Sequence, residues 1–188
     1  MRHMLLNARQ AAEQLRQGKV IAYPTEAVFG LGCDPSNERA VRSLLSLKHR
    51  PESAGLILVG ASFTQFGGWV GDLTDEAIKP ALETWPGPVT WLFPRGPKTA
   101  DFISGSRDTV AIRVTGHRAS TELCMAFGGP LVSTSANPRS APPARSSGEV
   151  EDYFGAYIGG ILEGALGGNE RPSEIRDLAT GKVIRPAG

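Results

Sequence analysis

The feature that most restricts the fold is a succession of apolar runs four to six residues long, at 20–23, 56–59, 89–93, 109–114 and 130–135. Each is closed by proline, glycine or a polar turn, and most are separated by segments of helical period. Runs of that length are strands, too short to cross a bilayer. Further candidates follow at 157–162, 174–178 and 182–185, the last two joined through Thr180-Gly181 as a tight turn.

Between them the helix signals are clear. Asn7 caps a helix through Gln17 that sets Ala11, Ala12 and Leu15 on one face and stops at Gly18. Ser36 caps a second, with the stripe Ala40, Val41, Leu44, Leu45 and Leu47, which runs out at Pro51 because proline drives Arg50 to extended backbone. Further helices are predicted over 75–84 behind Thr74, over 118–127, and over 149–154 behind the box Ser146-x-x-Glu149; Ser62 to Gln65 resembles another box. Segment 25–32 reads as a loop whose Gly30 and Gly32 let backbone approach a ligand. The order mixes β-α-β units with hairpins, so the expected fold is α/β: a twisted, mixed, open sheet with flanking helices.

At 188 residues the expectation is a single domain, 1–188, with the Pro/Ser-rich run 138–147 as a functional loop inside it. Twenty basic against nineteen acidic residues leave no global field for non-specific nucleic-acid binding, so any RNA contact needs a local patch. Cys33 and Cys124 make no disulfide framework, and His3, His49 and His117 do not cluster with them, so no metal site is expected. The amino terminus lacks the apolar run of a signal peptide and no membrane segment is apparent, so a cytoplasmic location is expected.

Three clusters could carry chemistry. Lys48 and Arg50 flank His49 before Pro51, a pair able to grip a polyphosphate, although a solvated helix end shows the same pattern. Ser133-Thr-Ser-Ala-Asn137 follows an apolar strand with three hydroxyls and an amide, suited to sugars, carboxylates or phosphates, or simply to a turn. Tyr23-Pro-Thr-Glu26, with Gly30 and Gly32, forms neither a phosphate loop nor a dinucleotide fingerprint. Arg113 stands in an otherwise apolar strand, where a guanidinium needs either an internal carboxylate or an anionic ligand. No nucleophile-elbow pattern or obvious general base appears, so positioning and charge neutralisation must do the chemistry.

Together, Tyr23-Pro-Thr-Glu-Ala-Val-Phe-Gly-Leu-Gly-Cys-Asp-Pro35, Lys48-x-Arg-Pro51, Trp85-Pro-Gly-Pro-Val-Thr90, Val110-Ala-Ile-Arg113, Ser133-Thr-Ser-Ala-Asn137 and Pro172-Ser-Glu-Ile-Arg-Asp177 resemble the YrdC/TsaC family of threonylcarbamoyl-AMP synthases, in its short bacterial form. The resemblance implies a concave basic face holding ATP and L-threonine, with Lys48, Arg50, Thr109, Ser135, Asn137 and Arg185 at nucleotide positions. It implies threonine contacts from Thr25, Arg113, Ser133 and Ser173. The implied reaction joins bicarbonate to the threonine amine, and the new carboxylate attacks the ATP α-phosphorus, with Mg²⁺ accompanying ATP and Lys48 and Arg50 as the catalytic cations.

The resemblance also implies downstream tRNA threonylcarbamoyl-transfer proteins and weak tRNA binding; a non-catalytic RNA-binding module of the same fold is the alternative. Two segments depart from the pattern. Ala54-Gly-Leu-Ile-Leu-Val59 replaces an Asn…His stretch, and Pro138-Arg-Ser140, with Pro143, replaces a Leu-Ser-Gly and a later serine. Lys48→Ala is expected to reduce activity sharply with little effect on folding.

Overall fold

The computed structural model describes residues 5–168 and 173–187; His3 and Pro172 lie outside them. The strands are β1 (Leu5–Leu6), β2 (Ile21–Pro24), β3 (Phe29–Cys33), β4 (Ile57–Gly60), β5 (Val89–Pro94), β6 (Thr109–Val114), β7 (Leu131–Ser135), β8 (Ile161–Leu162), β9 (Glu174–Asp177) and β10 (Val183–Arg185). The helices are α1 (Ala8–Arg16), α2 (Glu38–Leu47), α3 (Asp75–Leu82), α4 (Asp101–Ser104), α5 (Arg118–Phe127) and α6 (Ser147–Phe154). Among the described residues all ten strands join one sheet, ordered β1-β8-β2-β3-β7-β4-β6-β5-β9-β10. The sheet is mixed: β4 runs parallel to β6 and β5 to β9, whereas β7 is antiparallel to both β3 and β4. Among the described residues no helix is long and apolar enough to cross a membrane.

Alternation along the strands separates two faces. On one, Ala22, Leu31, Cys33, Val132, Leu58, Ile112 and Phe93 pack with Ala40, Val41 and Leu44 of α2 and Val150 and Phe154 of α6 in the main core. On the other, α1 and α5 lie over one end of the sheet, where Ala11, Leu15, Leu123 and Cys124 meet Ile21, Tyr23 and Leu131. The same face continues past Tyr23 and Leu131 through Gly30, Ser133, Ser135, Ile57 and Ala111.

Several local expectations change. Segment 25–32 is not all loop: β3 pairs with β2 and β7, because Phe29, Leu31 and Cys33 fill the core while Gly30 and Gly32 face the other way. Gly32 serves packing, since a Cβ there would lie 2.8 Å from the Tyr23 ring and 2.9 Å from the Val132 carbonyl oxygen. Asn37 rather than Ser36 caps α2, accepting from the Ala40 N–H at 3.1 Å, while the Ser36 N–H bonds to Asp34 Oδ1. Ser62 makes no side-chain cap on the short 3₁₀ turn Phe63–Phe66; Gln65 instead ties the Ala61 N–H to the Cys124 carbonyl. The strand foreseen over 157–162 shrinks to Ile161–Leu162, and Leu5–Leu6, too short for any periodicity to show, pairs with it. Elsewhere Asn7, Thr74 and Ser146 cap their helices as expected, and the hairpin β9–β10 turns with Gly181 at φ 69°.

Candidate functional site

Small side chains on the uncovered face set the site. Gly30 stands opposite Ser135 and Gly32 opposite Ser133, and on the far side of β7 Ser133 faces Ile57, which faces Ala111. A row of glycine, serine and alanine beside the helix-covered end leaves a cleft of about 580 Å³. Thr25, Ser133, Ser135 and Ser173 supply hydroxyls to its wall, and Leu56, Ile57, Phe29 and Pro143 supply apolar surface. Four arginines line it, Arg50, Arg113, Arg145 and Arg185, against one carboxylate among the described lining residues, Glu26. The buried Tyr23 hydroxyl donates to Ser133 Oγ at 2.7 Å and fixes that serine from below.

The basic pair is built by the end of α2, though not chiefly by Pro51. His49 adopts φ 48°, and the Arg50 N–H reaches back to the Leu45 carbonyl at 2.9 Å while the His49 N–H bonds to that of Ser46 at 3.0 Å. This is a Schellman stop with histidine in the left-handed position usually held by glycine. It sends Lys48 and Arg50 to different places. Lys48 is 7% exposed, and its ammonium donates to the carbonyl oxygens of Ser135 and Asn137 and to Asn137 Oδ1. Burial first, and the nearby Arg50 second, push this amine down to about 8. Asn137 is further committed, accepting from Ser135 Oγ at 2.7 Å and donating to the Ala141 carbonyl at 2.8 Å. Lys48 thus ties the end of β7 to the turn after it. Arg50 reaches the wall, donating to the Gly55 carbonyl at 2.9 Å, and its buried Nε has no partner among the described residues. Burial, Arg107 and Arg185 all press its pKa down.

Arg113 resolves its open alternative with an internal partner. Its guanidinium donates to Glu26 Oε1 at 2.5 Å, and Thr115 Oγ1 donates to the same oxygen at 2.7 Å. Burial raises the Glu26 pKa, but Arg113 and these hydrogen bonds outweigh it and hold the carboxyl below its ordinary value. Behind Thr115, the His117 N–H bonds to Thr115 Oγ1 at 3.1 Å, and His117 Nε2 meets the Ala165 carbonyl at 2.9 Å, so Nε2 carries the proton.

Of the residues singled out in the sequence, Thr25, Arg50, Arg113, Ser133, Ser135, Ser173 and Arg185 line the cleft, while Lys48, Thr109 and Asn137 do not. Thr109 shares the face of Arg113, at the far end of β6. Arg185 donates to the Ser173 carbonyl at 2.9 Å, and Ser173 Oγ lies 3.1 Å from Thr90 Oγ1, bringing the last hairpin to the cleft. Both departing segments also reach it, through Leu56 and Ile57 and through Pro142 and Pro143. Glu26 and Arg145 were missed as site residues. The signal for Glu26 was available, because an arginine alone in an apolar strand calls for a carboxylate; Arg145, in a Pro/Ser-rich run, gave none.

Comparison with known proteins fits this geometry. A family model, Sua5/YciO/YrdC, described as "Telomere recombination", matches residues 13–187. The chain belongs to this family. A relative in Halorhodospira halophila (strain DSM 244 / SL1) named threonylcarbamoyl-AMP synthase is 52% identical over 177 residues, 94% of this chain and 93% of the relative. One of the same name in Pseudomonas aeruginosa (strain UCBPP-PA14) is 53% identical over 180 residues, 96% of this chain and 97% of the relative. Among solved structures, P. abyssi Sua5 complexed with L-threonine superposes with a TM-score of 0.89 at 33% identity, covering 96% of this chain and 54% of that one. E. coli YciO superposes at 0.84 with 23% identity over 96% of this chain and 88% of its own, a likeness of fold. The family thus carries the mixed sheet with flanking helices found here.

Proposed function

We propose that this chain is a threonylcarbamoyl-AMP synthase, converting L-threonine, bicarbonate and ATP to L-threonylcarbamoyl-AMP and pyrophosphate for tRNA modification. The observation that carries the reading is the single cleft gathering seven of the ten expected contact residues, in a chain about half identical to relatives bearing that enzyme's name. The reaction asks for alignment and charge neutralisation rather than a covalent intermediate. The threonine amine, its ammonium proton first lost to water, attacks the carbon of bicarbonate, water leaves, and the carbamate oxygen then displaces pyrophosphate from the α-phosphorus. Arg50 and Arg185 lie on the wall where polyphosphate charge needs neutralising, and Arg50 Nε holds a buried N–H that a phosphate oxygen can accept from. The hydroxyls of Thr25, Ser133 and Ser173 suit the smaller, polar amino acid. Lys48 acts from behind, holding Ser135 and Asn137 in place.

Mg²⁺ belongs to this reading as a companion of ATP. The described residues hold no group of three His, Cys, Asp or Glu side chains fit to bind a metal, and Glu26 is already bonded to Arg113 and Thr115, so no step is routed through a protein-held ion. The reading further includes one functional unit over 1–188, supported by the continuous sheet from Leu5 to Arg185, a cytoplasmic location, downstream transfer proteins and weak tRNA contact. Pyrophosphate release from ATP by the purified protein tests it. Release that requires both L-threonine and bicarbonate, and falls away with serine, is expected; no release from folded protein overturns the reading.

A further inference from the structure

The Glu26–Arg113 pair lies on the cleft wall, with side chains 15% and 9% exposed. Its position poses an electrostatic problem for the proposed substrate. A free amino acid enters as a zwitterion, and its ammonium group must come to rest in a cleft lined by four arginines. Like charges a few ångströms apart in a partly desolvated site repel strongly. Among the described lining residues only Glu26 offers a countercharge.

We infer that Glu26 is a substrate-binding residue whose carboxylate receives the α-ammonium group of the amino acid while the Arg113 guanidinium turns to its α-carboxylate. The assignment rests on the synthase reading given above and adds to it how the amine is recognised. A cation and an anion side by side are the complement of a zwitterion. On binding, one internal ion pair is exchanged for two pairs with the ligand, and the local charge stays balanced. Arg113 and Thr115 both bond to Glu26 Oε1, so neither occupies Oε2. The residue is also held from behind, with Gly167 so close that a Cβ there would lie 2.9 Å from the Glu26 Cα. The carboxyl's depressed pKa keeps it ionised at neutral pH, so it binds the ammonium as an anion.

The test is calorimetric binding of L-threonine and of 3-hydroxybutyrate, the corresponding acid without the amine, with a non-hydrolysable ATP analogue present and bicarbonate absent. Wild-type protein should prefer threonine. In Glu26→Gln the affinity for threonine should fall roughly 10- to 100-fold, the range of a lost charge-assisted hydrogen bond, while 3-hydroxybutyrate binds as before or more tightly because Arg113 is released. Glu26→Asp should keep part of the preference. Equal losses for both ligands would mean that Glu26 acts only through Arg113, and unchanged threonine binding would mean that it does not act at all; either overturns the assignment. If Glu26→Gln fails to fold, Glu26→Asp carries the test, and an undiminished preference for the amine overturns it. Wild-type protein that binds the ATP analogue but neither acid overturns the threonine reading itself.

Discussion

Lys48 shows how a cation that the sequence places at a helix exit can be buried by the fold. From sequence it is a cation at a helix exit, and such groups contribute little to stability. In the fold its three N–H donors meet three oxygens of the segment 135–137, so removing it takes a donor from two partly buried carbonyl oxygens, while Asn137 Oδ1 keeps the Ser135 hydroxyl. Lys48→Ala should therefore lower stability by about 2–3 kcal/mol as well as reduce activity, as urea unfolding beside turnover will show. A stability change within error would return Lys48 to the role of a free phosphate ligand. Arg113 carries the complementary lesson. Its need for an anion was legible, and Glu26 stood in a motif already singled out, but a sequence separation of 87 hides the pairing until β6 and the turn after β2 come together.

At the scale of elements, strands and helices were mostly legible because burial and period coincide in them. The helix over 118–127 and the strand over 109–114 have the expected bounds, since each alternates or repeats cleanly and each is stopped by glycine or a polar turn. Strand β3 was hidden by its glycines, which read as loop from sequence and act as space in the sheet. Gly32→Ala sets a methyl against the Tyr23 ring and the Val132 carbonyl and should cost about 1–3 kcal/mol. Gly129→Ala, whose Cβ would meet nothing nearer than 3.9 Å, should be nearly neutral. Equal effects of the two substitutions, measured by denaturant midpoint, would contradict the packing role of Gly32.

At the scale of the whole molecule, near-neutral net charge coexists with an arginine-lined cleft, so charge is local rather than global. Ligands that fill the cleft should stabilise the fold by mass action. At a hundred times its dissociation constant, a ligand adds about 2.7 kcal/mol, or roughly 5–11 °C in Tm for a chain of this size. ATP with L-threonine should approach that shift in thermal unfolding and ATP with serine should fall short; no shift from either would argue against the cleft as the site.

The sequence by itself determined most of the longer helices and strands and the mixed character of the sheet, because hydrophobic period, caps and glycine or proline stops act over a few neighbours. Only the tertiary structure decided that α1 and α5 cover one end of a sheet face and leave the middle open, since that depends on strand order. It also decided which cation meets which oxygen. Lys48 turned inward and Arg50 onto the cleft wall because a left-handed His49 sends two neighbours in different directions, a consequence of backbone geometry that residue identity alone does not express.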